Sequence, residues 1–242
     1  MDTLLVLLSG FVIGMRHALE SDHLAAVAAL ATQARDARHT LRLGVNWGVG
    51  HTLVLLLAGS AVLWLDAIVP ERFASALEFV VGLMLMLLGA DVIRRMRRRR
   101  IHFHVHEHGD GVRHFHAHAH DGTLPHEEDP HDHAHPGPAS LLQPRALLVG
   151  MVHGMAGTAA LTLLTLQTLH DPWLGMLYIA LFGAGSIMGM GVVSAIIALP
   201  LRRAGRGLAR WHASLQYAIG LFTLGYGLYI AWHLAPRVFA AG

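Results

Sequence analysis

RHALESDHLA, residues 16–25, sets five ionisable side chains between two apolar runs. Arg16, His17, Glu20, Asp22 and His23 fall within eight residues, with LLVLLSGFVIGM before them and LAAVAALA after them. Ionisable residues are costly inside a membrane and rarely sit there without a task. The fold therefore turns on whether this stretch lies in a membrane.

Composition says that it does. The 242 residues are 54% hydrophobic and 14% charged, with a mean hydropathy of +0.47. A soluble chain carries about 25% charged residues. There is no cysteine, which excludes disulfides and thiolate metal sites. All 18 basic residues are arginine, and the pI is near 9.5. Because these arginines flank apolar runs, membrane topology explains them and nucleic acid is not expected as a partner. MDTLLVLLSG has no positive leading segment, so a cleaved signal peptide is not expected.

A spanning helix needs about 20 mostly apolar residues. Six such runs occur: 3–31, 43–68, 74–95, 141–168, 173–199 and 212–235. Arginines concentrate in the loops after spans one, three and five: Arg35, Arg38 and Arg42; Arg94, Arg95, Arg97 to Arg100 and Arg113; Arg202, Arg203, Arg206 and Arg210. The opposite side has Arg72 and Arg237. The positive-inside rule puts the arginine-rich loops in the cytoplasm and both termini outside an inner, cytoplasmic membrane.

Sliding the chain on itself by about 136 residues aligns GMRHALES (14–21) with GMVHGMAG (150–157), WGVGHT (47–52) with FGAGSI (182–187), and LEFVVGLMLMLLGA (77–90) with LQYAIGLFTLGYGL (215–228). Three spans per repeat is an odd number, so the second copy must be inverted. The expected fold is an all-α polytopic membrane protein of six transmembrane helices in two inverted three-helix repeats. Residues 1–97 form the first repeat, 98–140 a cytoplasmic loop and 141–242 the second repeat. Inverted repeats are typical of secondary transporters, which bind substrate near the midplane. Glycines at 10/14, 44/48 and 183/185/189/191 suit close helix contact.

The two repeats differ in polar content. His17 has a counterpart in His153, whereas Asp22, His23 and His51 fall on Thr158, Ala159 and Ser186. Imidazoles with carboxylates suit Zn²⁺, Ni²⁺, Co²⁺ or Cu²⁺. His17, Asp22, His23 and His51 are the expected metal residues, with Asp22 the compensating anion. Glu20, Asn46 and His153 are additional candidates for the metal or a proton. At about 100° per residue, Asp22 lies about 140° and His23 about 240° round from His17. So either the helix is unwound there, eased by Gly10 and Gly14, or the ligands do not all share one ion. Glu78 and Asp91 are possible proton relays. Met15, Met151, Met155, Met188 and Met190 are expected to fill the core.

Residues 102–135 hold twelve histidines: His102, His104, His106, His108, His114, His116, His118, His120, His126, His131, His133 and His135. HFHVHEHGDG nearly recurs twelve residues later as HFHAHAHDG. Such a tract binds metal by composition and cannot pack a core, so disorder without metal is expected, with metal capture as its role.

HALESDH has the H-x4-D-H form and resembles the signature of the nickel/cobalt transporter (NiCoT) family of the NicO superfamily. GVGHT at 48–52 resembles that family's glycine–histidine element. The resemblance implies that His17, Asp22, His23 and His51 form the metal site. Glu20 and Ser21 depart mildly from the pattern. Six spans with a histidine-rich loop resemble the superfamily's efflux branch more than its usual eight-span importers.

The expected function is transport of Ni²⁺ or Co²⁺ as substrate through a midplane site, without a cofactor. Uptake is favoured, efflux is the alternative, and an intramembrane zinc-dependent hydrolase is the rival from another class. An enzyme is not expected. Expected partners are the divalent ion and membrane lipid, with a homo-oligomer left open. Deleting 102–135 should alter the metal affinity or regulation of transport, measured as Ni²⁺ flux, more than it abolishes flux. Complete loss would overturn the capture role.

Overall fold

A computed structural model describes residues 3–34, 37–65, 70–98, 101–107, 113–119, 142–168, 171–202 and 209–239. Among them are seven helices: α1 (Thr3–His17), α2 (Ser21–Ala31), α3 (Ala37–Leu65), α4 (Glu71–Arg98), α5 (Pro144–Thr168), α6 (Pro172–Arg202) and α7 (Ala209–Phe239). Helices are what an apolar chain in lipid must form, because only they satisfy their own backbone groups. α3, α4, α6 and α7 are each long and apolar enough to cross a membrane, and α1 with α2 make a fifth crossing if the bent pair is one span. The run expected at 141–168 corresponds to α5, whose described side chains end at Ala156.

The run at 3–31 is broken. α1 at 15 residues and α2 at 11 are each too short to cross about 30 Å of hydrocarbon. They meet at a 54° bend. Leu19 N–H donates to Arg16 O at 2.9 Å and Glu20 N–H to His17 O at 3.0 Å, a tightened last turn. Glu20 then takes an extended backbone (ψ 149°), and Leu24 N–H returns to Glu20 O at 2.9 Å to restart the helix. Gly10 and Gly14 are not at the break. They lie within α1 against α6, where a Cβ on Gly10 would stand 2.9 Å from the Tyr178 ring and one on Gly14 would meet the Phe182 carbonyl.

The helix contacts come in matched pairs. α3 packs on α5 as α1 packs on α6, and α3 on α6 and α4 on α7 join like-placed helices of the two halves. The glycine contacts repeat the pairing. Gly14 abuts Phe182 O and Gly150 abuts Trp47 O; Gly185 abuts Phe11 O and Gly50 abuts Leu147 O. A Cβ added at Gly89 would stand 2.7 Å from Gly220 O, and one at Gly227 would stand 2.6 Å from Gly82 O. Residue order along these contacts rises together in α1/α6 and α3/α5. It runs oppositely in α3/α6 and α4/α7, so those pairs are antiparallel. Outside their own pair, α4 and α7 reach the rest of the bundle chiefly through α2 and α5.

In the histidine-rich loop, β1 (Ile101–Glu107) and β2 (Arg113–Ala119) form an antiparallel ribbon. His102 pairs with His118, His104 with His116 and His106 with His114. His108, His120, His126, His131, His133 and His135 lie outside the described residues, as do Arg35, Arg99, Arg100, Arg203 and Arg206.

Gly14→Ala should destabilise the protein by about 1–3 kcal/mol, because the added methyl meets backbone, which cannot rotate away. Gly225 has nothing within 4 Å of a built Cβ, so Gly225→Ala should be neutral or slightly stabilising. Thermal denaturation of both variants in one detergent checks this; equal melting temperatures would contradict it.

Candidate metal centre

The break delivers His17, the last residue of α1, and His23, in the first turn of α2, to one place. α3 brings His51, fully buried, and α5 brings His153, 2% exposed. His17, His23 and His51 each place a ring nitrogen within 4.8 Å of the other two, and Asp22, His23 and His153 form a second such group. Both alternatives raised by the angular spacing are therefore present: the helix is interrupted, and Asp22 belongs to a different group from His17.

Ring nitrogens divide into held and bare. His17 Nδ1 lies 2.9 Å from Glu20 Oε1, and His23 Nδ1 lies 3.0 Å from Asp22 Oδ1. A carboxylate can only accept, so each Nδ1 carries the proton and each Nε2 keeps its lone pair. His153 Nε2 likewise donates to Asp22 Oδ2 at 2.7 Å. That leaves His17 Nε2, His23 Nε2, His153 Nδ1 and both nitrogens of His51 buried without a hydrogen-bond partner. A buried, unsatisfied polar atom costs about 1–3 kcal/mol. Several at one point make sense as lone pairs waiting for a cation. Carboxylates behind imidazoles are the usual second layer of a metal site, fixing tautomer and ring direction. Glu20 and Asp22 together also balance a dication's charge.

The walls are aromatic. Trp47, fully buried, stacks on His51 at 5.4 Å and 7°, and Phe182 stands 5.2 Å from His17. The repeat aligns Trp47 with Phe182, the one sequence signal that could have marked both. A cavity of about 750 Å³ reaches the centre, bounded by α1, α2, α5 and α6 on one side and by α4 and α7 on the other.

Other expectations fare differently. The Asn46 amide donates to Arg42 O at 2.9 Å and its oxygen accepts from Gln143 N–H at 3.2 Å, so it ties α3 to the start of α5 instead of facing the centre. Asp91 is ion-paired with Arg145 and Arg95. Glu78 lines the cavity, as does His233, which sequence reasoning missed. Of the five methionines, Met190 is in the core, while Met15, Met155 and Met188 are 37–46% exposed. In lipid an apolar side chain has no need to turn inward.

A helical membrane protein in which buried imidazole nitrogens, with carboxylates beside them, converge at a broken span is the class that fold and site define. No family model and no solved structure matches the chain. It is 30% identical over 233 residues to the urease accessory protein UreH of Bacillus sp. (strain TB-90), covering 96% of this chain and 93% of the relative. The chain belongs to that protein's family.

Asp22→Asn keeps the shape but cannot accept from both His23 and His153 as an anion. It should weaken Ni²⁺ binding about 10- to 100-fold by calorimetry on purified protein. Unchanged affinity would detach Asp22 from the site.

Proposed function

We propose that this protein carries Ni²⁺, with Co²⁺ as second choice, across the cytoplasmic membrane as its substrate. In this reading the chain spans six times as two inverted three-helix repeats. Both termini are outside and the histidine-rich loop is cytoplasmic. The observation that carries the reading is the convergence of buried, unpartnered ring nitrogens of His17, His23 and His51, backed by Glu20 and Asp22. Imidazole and carboxylate without thiolate suit a borderline divalent ion. Kinship with a urease accessory protein favours nickel among the candidates.

Transport, as against catalysis, is supported by the matched contacts of the two halves and by the hydrogen bond between them, from His153 to Asp22. A hydrolase needs neither. No G-x4-G-K-[ST] motif is present for nucleotide hydrolysis. An inside-negative potential favours inward movement of a dication by about 4.6 kcal/mol per 100 mV, enough to drive uptake.

Cells producing the protein should accumulate more Ni²⁺ than cells lacking it, and purified protein in liposomes should move Ni²⁺ down an imposed potential. His51→Ala should abolish movement. Lower cellular nickel with intact flux would reverse the direction to efflux. Binding without movement across the bilayer would overturn the transporter reading.

A further inference from the structure

The cavity that reaches the metal centre is one-sided. Beyond the centre itself, its lining residues fall in the halves of the helices away from the arginine-rich loops. Ile13 precedes the break, Glu78 and Val81 lie in the first half of α4, and Tyr229 and His233 lie in the second half of α7. The other half is tied together. Arg145, at the start of α5, is ion-paired with Asp91 of α4 and donates to Gln33 Oε1 at 2.9 Å, just beyond α2. Gln143 is joined to Asn46, and the Thr223 hydroxyl donates to Ala25 O at 3.3 Å.

Two side chains on the open path stand outside the metal centre. Glu78 sits in the apolar body of α4 and lines the same cavity as Asp22. A carboxylate at such depth is tolerated where it faces water or other protein, and Glu78 faces the cavity. His233, from α7, lines the same wall and packs its ring against Tyr229 at 4.6 Å.

We infer that this cavity is the outer access path for the hydrated dication, with Glu78 and His233 as its guiding residues, and that the molecule as it stands is open outward and closed inward. The inference rests on the transporter reading and on the orientation proposed with it. Glu78 offers a carboxylate along the path, and His233 an imidazole on the same wall. The ion is thus attracted before it exchanges its water for the histidines of the broken span.

The natural absence of cysteine makes the path directly testable, since one introduced thiol is the only one in the chain. In intact cells, a membrane-impermeant, cationic methanethiosulfonate should modify Tyr229→Cys from outside, and Ni²⁺ should slow the modification. Gln33→Cys should react only after the cells are permeabilised. Reaction of Tyr229→Cys from the cytoplasmic side alone would overturn the outward direction and the orientation together. No reaction from either side in a variant that still moves Ni²⁺ would overturn the path and leave the transporter reading standing. In Ni²⁺ flux at low ionic strength, Glu78→Gln should raise the half-saturating concentration about fivefold with little change in maximal rate. The gap should shrink in high salt, and Glu78→Asp should restore most of the affinity. A loss of maximal rate without salt dependence would mark Glu78 as structural and overturn its guiding role.

Discussion

The bridge from Asp22 to His153 and His23 is the interaction on which the arrangement depends. One carboxylate orients two imidazoles from different halves of the chain. It can do so because it sits in the first turn of α2, where the positive helix end favours an anion. That position exists only because the first span breaks between His17 and Ser21. The break brings the negative end of α1 and the positive end of α2 to the same depth. Opposed backbone dipoles meet there, and Glu20 and Asp22 tip the local balance toward a cation. A continuous helix would have scattered these side chains around its circumference.

A polar centre in lipid must also be walled off. Glycines do this by letting helices meet backbone to backbone. With Gly14 on the Phe182 carbonyl and Gly150 on the Trp47 carbonyl, the two aromatic rings close over the histidines. Each contact fixes the other half's aromatic wall, so packing and site are one construction.

The sequence made the candidate ligands legible and the geometry only partly so. His17, Asp22, His23 and His51 stood out because each is expensive where apolar residues surround it. The angular spacing exposed a conflict with a regular helix. It could not locate the interruption, because Ala18, Leu19 and Glu20 contain neither proline nor glycine. Asn46 was polar for the same visible reason as His51, but its partner Gln143 is 97 residues away, just before α5. His233 was a lone histidine in an apolar run, and only the cavity distinguishes it from a packed one. Trp47 was hidden because aromatic residues are ordinary in such helices.

α4 and α7 hold each other closely but touch α1, α3 and α6 little. The protein is thus a four-helix block and a two-helix lever, joined at α2 and along α5. The cavity is the gap between block and lever, and α2, which carries Asp22 and His23, is the fulcrum. Tilting the lever would narrow the gap at one face and widen it at the other, leaving the glycine seams of the block intact. The residues of the candidate metal centre would then move least, because they lie where the turning is smallest.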